Sequence, residues 1–105
     1  MRQSEIAYRA AEYISEHGLL KHFMFHPDEP GACLNGAVVA VDGGRETWPM
    51  NLSREAAHVI VKANEAFLDR FEVTSVEWNN REETTAEDVV LFLKQLGADL
   101  EARGL

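Results

Sequence analysis

The chain has a single cysteine, Cys33, so it cannot close an internal disulfide, and such sparse use fits a reducing compartment. Cations are scarce too: ten Lys and Arg stand against eighteen Asp and Glu, for a formal charge of −8. That deficit argues against direct nucleic-acid binding, which needs surplus cations to displace counterions from phosphate. Long apolar runs are also missing. The longest uncharged run, Pro30 to Val41, falls far short of a membrane span. Charges recur through Met1 to Glu16 and leave no apolar signal-peptide core. A soluble, cytoplasmic protein with no membrane partner is expected, and there the acceptor-like Asn51-Leu52-Ser53 is a chance match. Gly-rich phosphate loops, nucleophile elbows, internal repeats and low-complexity linkers are absent, and Asp42-Gly43-Gly44 is only a turn signal.

What is present is a globular composition, 46% hydrophobic and 27% charged over 105 residues. That is one domain's worth of chain, 1–105, with a modest core. Apolar spacing predicts about four amphipathic helices, hence an all-α fold with at most a short extended segment. Ser4 is placed to cap a first helix over Glu5 to His17, which Gly18 ends. Phe23 to Phe25 suits a short extended piece, because Pro27 pushes His26 out of the helical region. Ala32 to Val41 reads as a second helix, with a strand over Ala37 to Val41 as the competing assignment. Gly36, Ala37 and Ala40 would let another helix approach closely, inside the fold or between two copies in a homodimer. Ser53 caps a third helix, Arg54 to Phe71, and Leu52 is placed as a staple on Ala57. Glu72 to Trp78 connects, with an extended stretch expected through Val73 and Val76. Thr85 caps the last helix, Ala86 to Ala102, and Asp88 can answer the cap's own N–H.

Three features recur together: Ser15-Glu16-His17-Gly18-Leu19, then Cys33-Leu34-Asn35-Gly36-Ala37-Val38, then Trp78-Asn79-Asn80 leading to Thr85-Ala86-Glu87-Asp88-Val89. In this order the chain resembles a family of small uncharacterised proteins of actinobacteria and their bacteriophages. That family reads Cys-x-x-Gly-Ala in the middle and Trp-Asn-Asp, then Thr-x-Glu-Glu-Val, near the end. Asn80 stands where the family usually has Asp, so any role of that acid would be lost here. The resemblance implies a largely helical cytosolic protein, in the host cytoplasm if phage-encoded, and it imports no activity.

No catalytic set, cofactor or metal emerges. His17, His22, His26 and Cys33 fit no standard zinc spacing, and Pro27 makes His26 a poor helical ligand. Cys33 at a helix start would have its thiol pKa lowered by the dipole, yet its apolar neighbours suggest an inert, buried thiol. Glu82, Glu83, Glu87 and Asp88 are explained by the dipole of the last helix. Residues 77 to 103 hold seven acids and three bases, which suits a solvated face better than mimicry of a nucleic-acid backbone. Trp78 is expected to cover the core, with Asn79 and Arg81 holding the bend by hydrogen bonds. Trp48 and Arg45, in a polar loop, are candidate contacts for a partner. The expected interaction surface is therefore Arg45, Trp48, Trp78, Asn79, Asn80 and Arg81. The leading functional expectation is a non-enzymatic accessory protein that binds and modulates a host protein. The alternatives are a small thiol-dependent enzyme centred on Cys33 and an acidic nucleic-acid mimic.

Overall fold

Side-chain caps set where four of the five helices begin in the computed structural model, which describes residues 1–26, 28–44 and 52–105. These are α1 (Gln3–His17), α2 (Leu34–Gly43), α3 (Arg54–Phe71), α4 (Ser75–Asn80) and α5 (Ala86–Ala102). Only isolated bridges, Leu19 with Ala32 and His26 with Glu29, represent extended pairing among the described residues. The all-α expectation therefore holds, with one more helix than the spacing suggested. No helix among the described residues is long and apolar enough to cross a membrane.

α1 begins earlier than expected. The Arg2 carbonyl already accepts the Ile6 N–H at 3.0 Å, which puts Ser4 inside the first turn rather than at its cap. The Ser4 N–H donates instead to the Leu105 carbonyl at 3.4 Å. Gly18 ends α1 at φ +97°, its N–H closing on the Ile14 carbonyl at 2.8 Å. The inward face of α1 is Ile6, Ala7, Ala10, Ala11 and Ile14, all buried. Three alanines in that face let α5 lie close, and α1 has its most extensive packing there. Gly97 of α5 belongs to the same fit: a Cβ on it would come within 2.9 Å of the Tyr8 ring.

Residues 34–43 are helical, so the strand alternative fails despite its valines. Leu34, Ala37, Val38 and Val39 are buried, and packing on α1 outweighs the weak sheet preference of a short run. Of the small residues, Gly36 serves an internal approach, to the loop rather than to a helix: a Cβ on it would lie 2.5 Å from the Met24 carbonyl. Phe23 to Phe25 form no strand, because this stretch bends so that the Met24 carbonyl can accept the Cys33 N–H at 3.3 Å.

Asp42, in the last turn of α2, reaches across to the start of α3. Its carboxylate accepts the Ser53 N–H at 2.8 Å and the Ser53 hydroxyl at 2.5 Å, while Ser53 Oγ accepts the Ala56 N–H at 3.1 Å. An acid is poorly placed at a helix C-terminus and well placed at an N-terminus, so Asp42 serves α3 rather than its own helix. Leu52 packs against the core beside this cap. Glu72 ends α3 in the left-handed region, at φ +57°.

The extended stretch expected through Val73 and Val76 is instead α4. Thr74 caps it, accepting the Glu77 N–H at 3.1 Å, and Glu77 returns its carboxylate to the Thr74 N–H at 3.3 Å. That reciprocal pair favours a helical turn more strongly than two valines favour strand. Thr85 and Asp88 make the same exchange at the start of α5, as the sequence indicated. Against the stacked rings of Phe67 and Phe92, 4.3 Å apart, Trp78 lies 4.5 Å from Phe67 and ties α4 to α3 and α5.

Asp42→Ala removes two charge-assisted bonds from the α3 cap and should destabilise the fold by about 2 kcal/mol. Thermal unfolding followed by circular dichroism should show Tm lowered by roughly 10 °C, with helix content at low temperature unchanged.

Candidate functional site

The bend at the end of α4 faces the loop that runs from Gly18 to Cys33, and side-chain hydrogen bonds join the two. Asn79 is only 1% exposed. Its Oδ1 accepts the Leu34 N–H at 2.9 Å, satisfying one of the open donors at the start of α2. Its Nδ2 donates to the Leu20 carbonyl at 2.9 Å and to Asn80 Oδ1 at 3.3 Å. Asn80 Oδ1 in turn accepts the His22 N–H at 2.7 Å, and His22 sits in the left-handed region at φ +71°. The Lys21 ammonium donates to the Arg81 carbonyl and, at 3.2 Å, to that of Glu82. The loop is closed on its own side by Leu20 N–H to the Ala32 carbonyl at 2.9 Å and Tyr13 hydroxyl to the Pro30 carbonyl at 3.1 Å.

Between this loop, the start of α2 and α4 lies a cleft of about 130 Å³. Phe23, Met24 and Val76 supply apolar lining, and Cys33, Asn35, Asn79 and Asn80 supply polar groups. Phe23 is 57% exposed and Val76 is 52% exposed. Asn35 Oδ1, by contrast, is buried and has no hydrogen-bond donor among the described residues. A larger groove of about 720 Å³ runs along α1, but it is open and strongly charged, with Arg9 already paired to Glu5 at 3.0 Å.

Cys33 is the α2 cap, its Sγ accepting the Gly36 N–H at 3.2 Å. Burial pushes the thiol pKa up, and the backbone N–H groups of Gly36 and Asn35 oppose this only in part. Of the two influences weighed in the sequence, burial prevails over the dipole: desolvation of the thiolate wins over the amides at the helix start, in line with a buried thiol. Among the described residues no three His, Cys, Asp or Glu side chains converge as a metal cage would need.

Four of the six residues singled out in the sequence, Trp78, Asn79, Asn80 and Arg81, are among the described residues, and they have different surroundings. Asn79 and Asn80 line the cleft, where Asn79 acts as an internal tie and shows almost no surface. Trp78 turns away to the aromatic stack, as expected of a tryptophan over the core. Arg81 is exposed, and it is its carbonyl rather than its guanidinium that is bonded to the loop. Arg45 and Trp48 lie outside the described residues. Phe23 and Val76 were missed as site residues, since each was read as part of an extended segment. The signal available was Thr74-x-x-Glu77, which makes Val76 a residue of a short helix.

Fold and cleft together define a small, mainly α-helical protein with a cleft bracketed by a hydrogen-bonded loop. The chain belongs to a family of unknown function, DUF6197, whose model matches residues 1–99. No curated protein and no solved structure matches it.

Asn79→Ala would strand the Leu34 N–H and the Leu20 carbonyl in the interior and should cost about 3 kcal/mol. Asn79→Asp, which keeps the acceptor but loses the donor and buries a charge, should cost at least as much by chemical denaturation. At Cys33 the folded pKa is raised, so the fold holds the proton more tightly than the unfolded chain does. Its contribution to stability is complete below the ordinary thiol range and declines as pH rises through it. Cys33→Ser should flatten that alkaline decline, and iodoacetamide should alkylate native Cys33 more slowly than a free thiol at the same pH.

Proposed function

We propose that this chain is a non-enzymatic interaction module that takes one apolar side chain of a protein partner into the cleft between the loop and α4. The observation that carries this reading is the pairing of exposed Phe23 and Val76 around a cleft of only about 130 Å³. Sites for drug-sized ligands and cofactors generally run to about 300–1,000 Å³, so this one suits a single anchor group. Anchors of that kind, seated in a pocket with an apolar rim, dominate the energetics of protein interfaces. The unpaired Asn35 Oδ1 beside the cleft would gain from an occupant that brings an N–H or O–H donor. By its resemblance to actinobacterial and phage proteins, the partner is a host protein and the role is accessory modulation. The acidic balance speaks against direct nucleic-acid contact. The thiol-enzyme alternative is weakened by a Cys33 whose pKa is raised and whose sulfur is engaged in a cap.

The test is affinity retention from an actinobacterial lysate by the immobilised chain. A saturable partner should be kept by wild type, by Cys33→Ser and by Leu91→Asp, an exposed control on α5. It should be lost at least tenfold with Val76→Asp or Phe23→Asp, both melting as wild type does. Retention indifferent to Val76 and Phe23 would refute the cleft. Retention that collapses with moderate salt would favour acidic mimicry.

A further inference from the structure

The cleft between the loop and α4 has an open hydrogen-bonding position. Asn79 Oδ1 is taken by the Leu34 N–H, Asn80 Oδ1 by the His22 N–H and Cys33 Sγ by the Gly36 N–H. Asn35 also lines the cleft, and its Oδ1 is buried with no donor among the described residues. A buried acceptor left open costs free energy, and turning this one toward the cleft breaks no bond at the oxygen. We infer that the cleft takes a tyrosine side chain of the partner, with its hydroxyl bonded to the Asn35 carboxamide. This narrows the occupant of the docking cleft proposed above and rests on that reading.

The chemistry around the cleft selects that side chain. No Asp, Glu, Lys or Arg is among its described lining residues, and burial favours the protonated Cys33 thiol. A lysine or arginine would therefore leave water without gaining a counter-charge. A carboxylate would approach a chain of net charge −8. An aromatic ring has partners here that an aliphatic anchor would not use. The Phe23 ring stands edge-on to His26 at 5.8 Å and is otherwise largely open, and Met24 brings a thioether. Both pack well on a ring, the first edge-to-face and the second from sulfur to ring edge. Phenylalanine would use these contacts but leave Asn35 Oδ1 open. The indole N–H of tryptophan could answer the oxygen, but two fused rings suit a cleft of about 130 Å³ less well than one. A hydroxyl also donates and accepts, as a carboxamide does, whereas indole only donates.

Side-chain analogues test the inference without the partner: p-cresol for tyrosine, toluene for phenylalanine and skatole for tryptophan. NMR titrations would follow the amide resonances of residue 35 and Val76 in wild type and in Asn35→Leu. The affinity of p-cresol relative to toluene should be at least fivefold higher in wild type than in Asn35→Leu. The gain that depends on Asn35 should be larger for p-cresol than for skatole. Asn35→Leu should melt no lower than wild type, because the oxygen has no bond to lose. Equal ratios in the two proteins would overturn the tyrosine assignment and leave the cleft standing as a docking site. A larger gain for skatole would reassign the anchor to tryptophan. A marked fall in Tm for Asn35→Leu would show Asn35 bonded within the fold, which also defeats the inference. If none of the three analogues moves these resonances, the cleft reading and the tyrosine fall together.

Discussion

A buried carboxamide must find partners for its oxygen and both its N–H bonds, and Asn79 finds two of the three on segments far away in sequence and the third on neighbouring Asn80. Its oxygen holds the first amide of α2, 45 residues away, and its nitrogen holds the loop at Leu20, 59 residues away. Each bond adds about 1 kcal/mol net when made and costs more when left open in the interior. Asn79 therefore matters less as a source of stability than as a constraint on geometry. While it is in place, the loop, the start of α2 and α4 have one arrangement, and the cleft between them has one shape.

α4 shows how such a constraint is supported. Six residues are too few to hold a helix in water, where nucleation is costly. This one is held from several sides: by its own Thr74–Glu77 box, by Asn64 of α3 accepting the Ser75 N–H, and by Trp78 lying on Phe67. α2 and α3 are likewise joined through Asp42 and Ser53. The hydrophobic core brings the helices together, and a small number of polar side chains decide where their ends lie. Those ends, rather than the core, form the surfaces that a partner could meet.

Much of this was legible from the sequence wherever signals were local. α3 and α5 have the bounds read from their caps and stripes, because Ser53 and Thr85 act through amides three residues away. α4 is written just as locally in Thr74-x-x-Glu77, but two valines at a spacing of three suggest a connecting extended stretch and the short length hides any period. The site was less readable. Asparagine is a turn residue far more often than a buried tie, and nothing near residue 79 announces Leu20 or Leu34. Cys33 is legible as a residue at a helix start with apolar neighbours, and the packing around it supplies the burial that raises its pKa. Phe23 and Val76 each suggest an extended segment in the sequence, whereas in the structure Phe23 is exposed on the loop and Val76 on α4.

Amide hydrogen exchange at Leu34 tests the role of Asn79 most directly. If its side chain closes the start of α2, the Leu34 N–H should exchange as slowly as core amides of α5, by global unfolding rather than local opening. Exchange at the rate of an open helix end would contradict the account, since the first amides of a helix have no partner in the helix itself.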